Sequence, residues 1–253
     1  MLPTVIDPDQ TGFMPRRSTD VNLRRLFTNI HTRHINTGTR TVASLDVEKA
    51  FDTVEWPFLW ETLRRMGFPL LFITWLQVIY RAPTSSVRLG GGVSAPFQLS
   101  RGTRQGCPLS PALFALAIEP VAEALRTSCH IKGLRVGLLE ERVALYADDM
   151  LLFLNDAGPS LQGALSVLDT FALVTGLRVN WSKSLLFPID QAARSTSPRT
   201  TPHAGWTRLN TWECRFLPRP LTLSPLIFPL FWLETPNPNS RHGVTFLCRY
   251  GGG

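Results

Sequence analysis

The sequence predicts an α+β fold in which an antiparallel sheet is backed by helices. The 253 residues, 44% of them hydrophobic, are enough to bury one substantial core. Apolar runs typical of strands alternate along the chain with segments whose apolar residues recur at helical spacing. One pair of apolar runs, 143–154, is joined only by two aspartates and indicates a tight hairpin. Strands interleaved with helices in this order favour antiparallel pairing.

The elements before residue 100 follow from caps, apolar spacing and turn residues. In chain order they are an amphipathic helix with a basic rim capped by Ser18 or Thr19, a buried strand at 40–45, core helices at 57–66 and 70–80, and a strand, glycine turn and strand over 85–99.

The second half of the chain contains two longer helices around the predicted hairpin. They are a helix opened by Ser110 and Pro111 and reaching about residue 125, and a helix capped by Ser160 and ended by Gly176. Short strands are expected at 177–179 and 184–187. From about residue 190 eight prolines are scattered without a period, which is poor material for a fold. We therefore expect one domain over 1–189 and a disordered or aberrant proline-rich tail over 190–253.

Charge and cysteine content restrict the class of protein. A formal net charge of +7 favours an anionic partner such as a nucleic acid, because basic side chains displace the counterions of a phosphate backbone. The four cysteines form no Cys-x-x-Cys pair, so neither a zinc ribbon nor a disulfide framework is indicated. The N-terminus does not resemble a signal peptide, and the longest apolar stretch, 221–233, is interrupted by prolines. We expect an intracellular protein without a membrane segment.

Three aspartates are the candidates for chemistry. Asp46 ends a predicted buried strand, and Asp148 and Asp149 form the predicted hairpin turn. If the strands are neighbours, three carboxylates surround one point, as two divalent cations require for phosphoryl transfer to a nucleotide. Aspartates are also common turn residues, so the pair taken alone favours a simple hairpin turn over a functional site. The basic loop 101–105 would supply positive charge for a nucleotide.

Five motifs in order resemble those of the reverse transcriptases of LINE-type (non-LTR) retrotransposons. The catalytic box is similar to Tyr146-Ala-Asp-Asp149, and the first palm motif to Leu45-Asp-Val-Glu-Lys-Ala-Phe-Asp52. The others are the fingers motif at 10–18, the second palm motif at 104–111 and, after the catalytic box, a further motif at 176–183. The resemblance covers about three quarters of the chain.

The resemblance implies a right-hand polymerase palm with part of the fingers and no recognisable thumb. It also implies that Asp46, Asp148, Asp149 and the backbone carbonyl of Val47 bind two Mg²⁺ ions, for which Mn²⁺ is a possible substitute. Lys183 would donate a proton to the departing pyrophosphate, although a solvated lysine is an alternative.

The same resemblance assigns residues to nucleotide binding. Phe51 would crowd the sugar 2′ position and favour deoxynucleotides. Gln105 and Gly106 would lie against the incoming base pair, and Arg17 would pair with the triphosphate. Where the family often has glycine before that arginine this chain has Arg16, so which arginine reaches the phosphate is open.

The expected function is RNA-directed DNA polymerisation, with an RNA template, a DNA primer and dNTP as partners, in the nucleus and cytoplasm. The oligomeric state is open. One alternative is a catalytically inactive, truncated remnant that only binds nucleic acid. Another is an RNA-directed RNA polymerase, against which Phe51 argues, because an RNA-making enzyme needs room for the 2′-hydroxyl.

Overall fold

The computed structural model describes residues 2–31 and 38–190, and beyond them the backbone of three two-residue strands. The helices are α1 (Leu2–Val5), α2 (Thr19–His31), α3 (Ala50–Thr53), α4 (Trp56–Arg65), α5 (Leu70–Ile79), α6 (Ser110–Thr127) and α7 (Ala157–Thr175). The strands are β1 (Thr41–Leu45), β2 (Thr84–Ser85), β3 (Arg88–Leu89), β4 (Gly92–Val93), β5 (Phe97–Gln98), β6 (Leu134–Val136), β7 (Leu139–Glu141), β8 (Val143–Tyr146), β9 (Asp149–Leu154), β10 (Leu185–Pro188), β11 (Thr207–Arg208), β12 (Glu234–Thr235) and β13 (Thr245–Phe246). In the part of the chain so described, no helix has the length and apolar character needed to cross a membrane.

The main sheet has five strands in the order β11-β10-β1-β9-β8, and every neighbouring pair is antiparallel. β1 lies at its centre, with Leu45 opposite Met150 of β9 and Ser44 opposite Leu185 of β10. The remaining strands form two-stranded ribbons. The predicted antiparallel sheet backed by helices, and with it the α+β class, is confirmed.

The core follows from the alternation of side chains along the central strands. Ala43 and Leu45 of β1 belong to the larger apolar cluster, which also contains the buried faces of α4, α6 and α7. Val42 points to the other side of the sheet and joins a smaller cluster with Ala144 and Phe153. Nearly continuous burial, with successive side chains joining clusters on opposite sides, is what a strand covered on both faces requires.

The predicted helices form, but two of them bury different faces from those expected. In α5 only Ile73 and Leu76 are buried, so α5 is not the core helix that its apolar composition suggested. Its exposed apolar side chains are Leu70, Leu71, Trp75, Val78 and Ile79. In α2 the buried residues are Asn22 and Asn29, whereas the apolar Leu23 and Phe27 are exposed.

Other boundaries differ by a few residues. The helix expected to be capped by Ser160 begins three residues earlier, at Ala157, and the Ser160 hydroxyl instead donates to the Asn155 carbonyl. Val179 forms only an isolated bridge rather than a strand. The hairpin of β6 and β7 was not predicted. Most of the predicted tail lies outside the described residues, so the boundary at residue 189 stays a prediction.

A half-buried cluster of charged side chains joins the N-terminal segment to α6 and to the hairpin of β6 and β7. Arg25 donates from Nη1 to Asp9 Oδ1 over 2.7 Å and from Nε to Glu141 Oε2 over 2.6 Å. Arg126 pairs with Glu119 and lies 3.9 Å from Asp9. Burial raises the pKa of Asp9 to about 6 and that of Glu119 to about 7, against the opposing attraction of the arginines.

These raised pKa values predict that the free energy of unfolding falls as pH rises. Between about pH 4 and pH 7 the folded chain holds protons on Asp9 and Glu119 that the unfolded chain releases, so the folded state is favoured below this window. Each pKa unit is worth about 1.4 kcal/mol, so we expect a loss on the order of a few kcal/mol by pH 8. Urea unfolding at several pH values between 5 and 8 measures this change in the free energy of unfolding.

Glu119→Gln is the control for this prediction, because a glutamine cannot titrate. Its free energy of unfolding should depend less steeply on pH than that of the wild type. Equal slopes for the two chains would contradict the assignment to Glu119.

Candidate active site

Strand register places the first aspartate beside the hairpin. β1 ends at Leu45, which pairs with Met150, so Asp46 continues the ladder towards Asp149. On the other side of β9, Tyr146 of β8 pairs with Asp149. Asp46 and the hairpin turn therefore meet at one end of the sheet, as the sequence predicted.

The turn between β8 and β9 has two central residues, Ala147 and Asp148. Ala147 has φ of 57°, and Asp148 is not among the residues with positive φ. Positive φ at the first central position alone is the pattern of a type II′ hairpin turn. Glycine usually occupies that position, so the alanine conformation has to be stabilised by its surroundings. Asp148 is half-buried and Asp149 is exposed.

The three carboxyl groups influence one another electrostatically. Partial burial, then the charges of Asp148 and Asp46, raise the pKa of Asp149 above its ordinary value. The Lys183 ammonium lies 3.9 Å from Asp46 Oδ2 and is well exposed. Across the described ranges 2–31 and 38–190, no group of three or more His, Cys, Asp or Glu side chains converges as a ready-made metal site. The backbone thus brings the three aspartates to the same end of the sheet, but their carboxylates do not converge on one point.

The segment after α7 holds the Asp46 backbone in place. The Asp46 N–H donates to Ser184 Oγ over 3.1 Å, and its carbonyl accepts from the Asn180 N–H over 2.7 Å. Val47 forms an antiparallel bridge with Val179, whose hydrogen bonds are made by the residues on either side of Val47. The bridge therefore does not use the Val47 carbonyl, which is the group expected to bind metal.

Phe51 packs between α6 and the N-terminal segment. Its ring stacks on Phe114 with a centroid distance of 4.5 Å and meets Phe13 edge-on at 6.2 Å. The Phe51 carbonyl accepts hydrogen bonds from the backbone and the hydroxyl of Thr103. The ring is only partly buried, so one part of it is a core contact and another part reaches the surface.

The loop with Gln105 and Gly106 is anchored on α3. Gln105 is exposed, and its Nε2 donates to Asp52 Oδ1 over 3.2 Å. Gly106 has φ of 79° and open space where a Cβ would be. Gly102 lies so close to Asp52 that a Cβ there would be 2.7 Å from its carbonyl oxygen. Gln105 and Gly106 therefore face solvent beside α3, the helix that carries Phe51.

In this structure Arg17 is bound to the backbone of the N-terminal segment. Its guanidinium donates to four backbone carbonyls, those of Pro3, Ile6, Asp7 and Gln10, and so closes the segment after α1. These bonds leave little donor capacity for a triphosphate. Arg16 is exposed and has φ of 63°.

Three buried polar residues at the site were given no role from the sequence. The side chains of Gln10, Thr11 and Asn22 all donate to backbone carbonyls of Leu145 or Ala147 in the hairpin. The sequence signal that could have revealed these contacts is Asn22, because it is a polar residue within a helix predicted to bury an apolar face. Gln10 lies in the fingers motif but has no periodic pattern that could reveal its contacts.

The comparisons with known proteins agree on one family. The family model for reverse transcriptase (RNA-dependent DNA polymerase) matches residues 1–217. The chain is 36% identical over 186 residues to the transposon TX1 uncharacterized 149 kDa protein of Xenopus laevis, which covers 73% of this chain and 14% of that protein. It is 33% identical over 177 residues to the Pol polyprotein of the type-2 retrotransposable element R2DM of Drosophila melanogaster, covering 70% of the chain and 16% of the polyprotein.

A Pol polyprotein from the type-1 retrotransposable element R2 of Popillia japonica is 31% identical over 198 residues, covering 78% of this chain and 28% of that protein. These relatives are non-LTR retrotransposon proteins, of whose length the chain spans less than a third. The fold is similar to that of telomerase from Candida albicans, with a TM-score of 0.51 and 14% identity over 76% of this chain and 32% of the telomerase chain. As its motifs predicted, the chain belongs to the reverse transcriptase (RNA-dependent DNA polymerase) family.

Proposed function

We propose that this chain carries the polymerase active site of a retrotransposon reverse transcriptase and adds deoxynucleotides to a primer 3′-hydroxyl. The observation that carries the proposal is that Asp46 lies beside Asp148, in the hairpin turn, and Asp149, at the start of β9, at one end of the central strands. The raised pKa of Asp149 supports the proposal, since after burial its causes are the charges of Asp148 and Asp46.

The donor set fits divalent cations. Mg²⁺, and Mn²⁺ as a substitute, prefer hard oxygen ligands. The chain offers the carboxylates of Asp46, Asp148 and Asp149 and the carbonyl of Val47, and the mutual repulsion at Asp149 is what a bound cation would relieve. Two bound ions would stabilise the charge that develops on the attacking and leaving oxygens.

The remaining side chains act on the nucleotide and its leaving group. Phe51 would exclude a 2′-hydroxyl, since its ring is fixed from behind by Phe114. Gln105 and Gly106 would lie against the incoming base pair from the exposed loop. Lys183, close to Asp46, would provide a proton to pyrophosphate.

For the triphosphate we propose Arg16 in place of Arg17. Arg16 is exposed, whereas four backbone carbonyls accept from the Arg17 guanidinium. A charge-assisted bond to phosphate requires donors that the protein does not already use.

The partners in this proposal are an RNA template, a DNA primer and dNTP. The net charge of +7 favours polyanionic partners, and the relatives from Drosophila melanogaster and Popillia japonica belong to retrotransposable elements. In this proposal the template is the RNA of the element itself, and the protein assembles with it in the cytoplasm and acts in the nucleus.

Primer extension tests the proposed activity. With poly(rA)/oligo(dT), dTTP and Mg²⁺, the purified chain should extend the primer, and the double variant Asp148→Ala, Asp149→Ala should lose the signal by about a hundredfold or more, because the metal ligands are gone. Asp169→Ala removes an exposed carboxylate on α7 and should extend like the wild type.

Folded wild-type chain that binds the template but extends no primer would contradict the proposal. That result would favour the alternative of a remnant that only binds nucleic acid.

Sugar selectivity tests the role of Phe51. Phe51→Val should relax the preference for dTTP over UTP by about tenfold or more, because a smaller side chain leaves room for the 2′-hydroxyl. Phe51→Tyr keeps the ring and should keep the preference. The ratio of kcat/KM for the two nucleotides is the measurement, and an unchanged ratio in Phe51→Val would exclude this role.

A further inference from the structure

The segment 9–12 lies beside β8 of the catalytic hairpin and is joined to it by an isolated bridge. Gln10 and Leu145 form a parallel bridge. The Leu145 N–H donates to the Asp9 carbonyl and the Thr11 N–H donates to the Leu145 carbonyl, each over 2.9 Å. The N-terminal segment is thus hydrogen-bonded to β8 two residues before the turn.

The Gln10 side chain then extends this contact onto the turn. Its Oε1 accepts from the Ala147 N–H over 2.9 Å, and its Nε2 donates to the Ala147 carbonyl over 3.1 Å. The same Oε1 accepts from the Gly12 N–H over 2.8 Å. Gln10 is completely buried, and Ala147 is nearly so. Both backbone polar groups of Ala147 are therefore satisfied by one side-chain amide.

Ala147 is the residue of the turn that needs this support. Its φ of 57° is unfavourable for a residue with a Cβ, and it directly precedes Asp148. A rotation of its peptide would change the direction of the Asp148 side chain. A conformation of this kind persists only where the surroundings determine it, and here the amide of Gln10 does so.

A second layer of contacts fixes the segment that carries Gln10. Asn22 Nδ2 of α2 donates to Thr11 Oγ1 over 2.9 Å and to the Leu145 carbonyl over 2.8 Å. Gly12 lies so close to the turn that a Cβ there would be 2.2 Å from the Ala147 nitrogen. No side chain larger than hydrogen fits between this segment and the turn, so Gln10 reaches Ala147 directly.

We propose that Gln10 is a positioning residue for the polymerase reaction, which fixes the Ala147 peptide and thereby the direction of Asp148 and Asp149. This inference rests on the function proposed above. It assigns Gln10 no contact with nucleotide or metal. A residue that only filled the core would affect the amount of folded protein, whereas a positioning residue affects metal binding and turnover by protein that is folded.

The test replaces Gln10 by an apolar residue of similar size and uses a matched control. Gln10→Met keeps the volume and loses all three hydrogen bonds. Ser160→Ala is the control, because Ser160 is equally buried and its hydroxyl also contacts two backbone groups, those of Asn155 and Lys132, at the far end of β9. Thermal unfolding gives the folded fraction of each variant.

Two measurements distinguish positioning from stability. In primer extension by folded protein, Gln10→Met should lower kcat by about tenfold or more while the KM values for primer-template and dTTP change by less than about twofold, since misplaced ligands slow chemistry more than binding. In direct titration with Mn²⁺ followed by electron paramagnetic resonance, Gln10→Met should bind the ion about tenfold more weakly than the wild type. Ser160→Ala should match the wild type in both.

The outcomes separate this inference from the proposed function. If the wild type extends the primer, and folded Gln10→Met equals it in kcat and in Mn²⁺ affinity, the positioning role is overturned and the proposed function stands. If the wild type binds Mn²⁺ but extends no primer, the proposed function fails, and the Mn²⁺ affinity of Gln10→Met still decides whether Gln10 positions the aspartates. A wild type that does neither overturns both.

Discussion

The antiparallel register between β1 and β9 is the constraint on which the site depends. Leu45 lies opposite Met150, so the next residue, Asp46, continues towards Asp149. β1 is also paired on its other edge with β10, so a shift of one residue would break two ladders and would exchange the faces of every buried side chain. Burial of apolar residues on both sides of the sheet therefore determines where the carboxylates stand.

The hairpin turn needs a second determinant, because strand pairing fixes its ends and leaves its two central residues free. Polar contacts supply it: the Gln10 amide satisfies both backbone groups of Ala147, and Asn22 and Thr11 support Leu145 beside it. Hydrogen bonds in a buried, low-dielectric site are stronger than in water, so these bonds favour one conformation of the turn even though Asn22 Oδ1 is left without a partner. The candidate site thus combines apolar strands that fix where the aspartates lie with polar contacts to the backbone of the turn between them.

The apolar frame could be predicted from the sequence, whereas the polar contacts could not. The strand before Asp46 and the hairpin around the paired aspartates are encoded in local runs of apolar residues, which is why their locations agree with the structure. Contacts such as those of Arg17 with the carbonyls after α1, or of Gln10 with Ala147, join residues whose partners leave no periodic signal.

The faces of the helices were also beyond prediction in two cases. The composition of α5 indicates burial and that of α2 indicates an apolar inner face, but tertiary neighbours leave most of α5 exposed and bury Asn22 instead. Amphipathic spacing gives the helix, while the choice of inner face depends on what the rest of the chain presents to it.

The close approach of Gly12 to the turn has a consequence for substitution. A Cβ at Gly12 would lie 2.2 Å from the Ala147 nitrogen, so any larger residue there has to push the segment and the turn apart. The same displacement would lengthen the hydrogen bonds between Gln10 and Ala147. The size of one residue ahead of α2 therefore limits where the turn that carries Asp148 can lie.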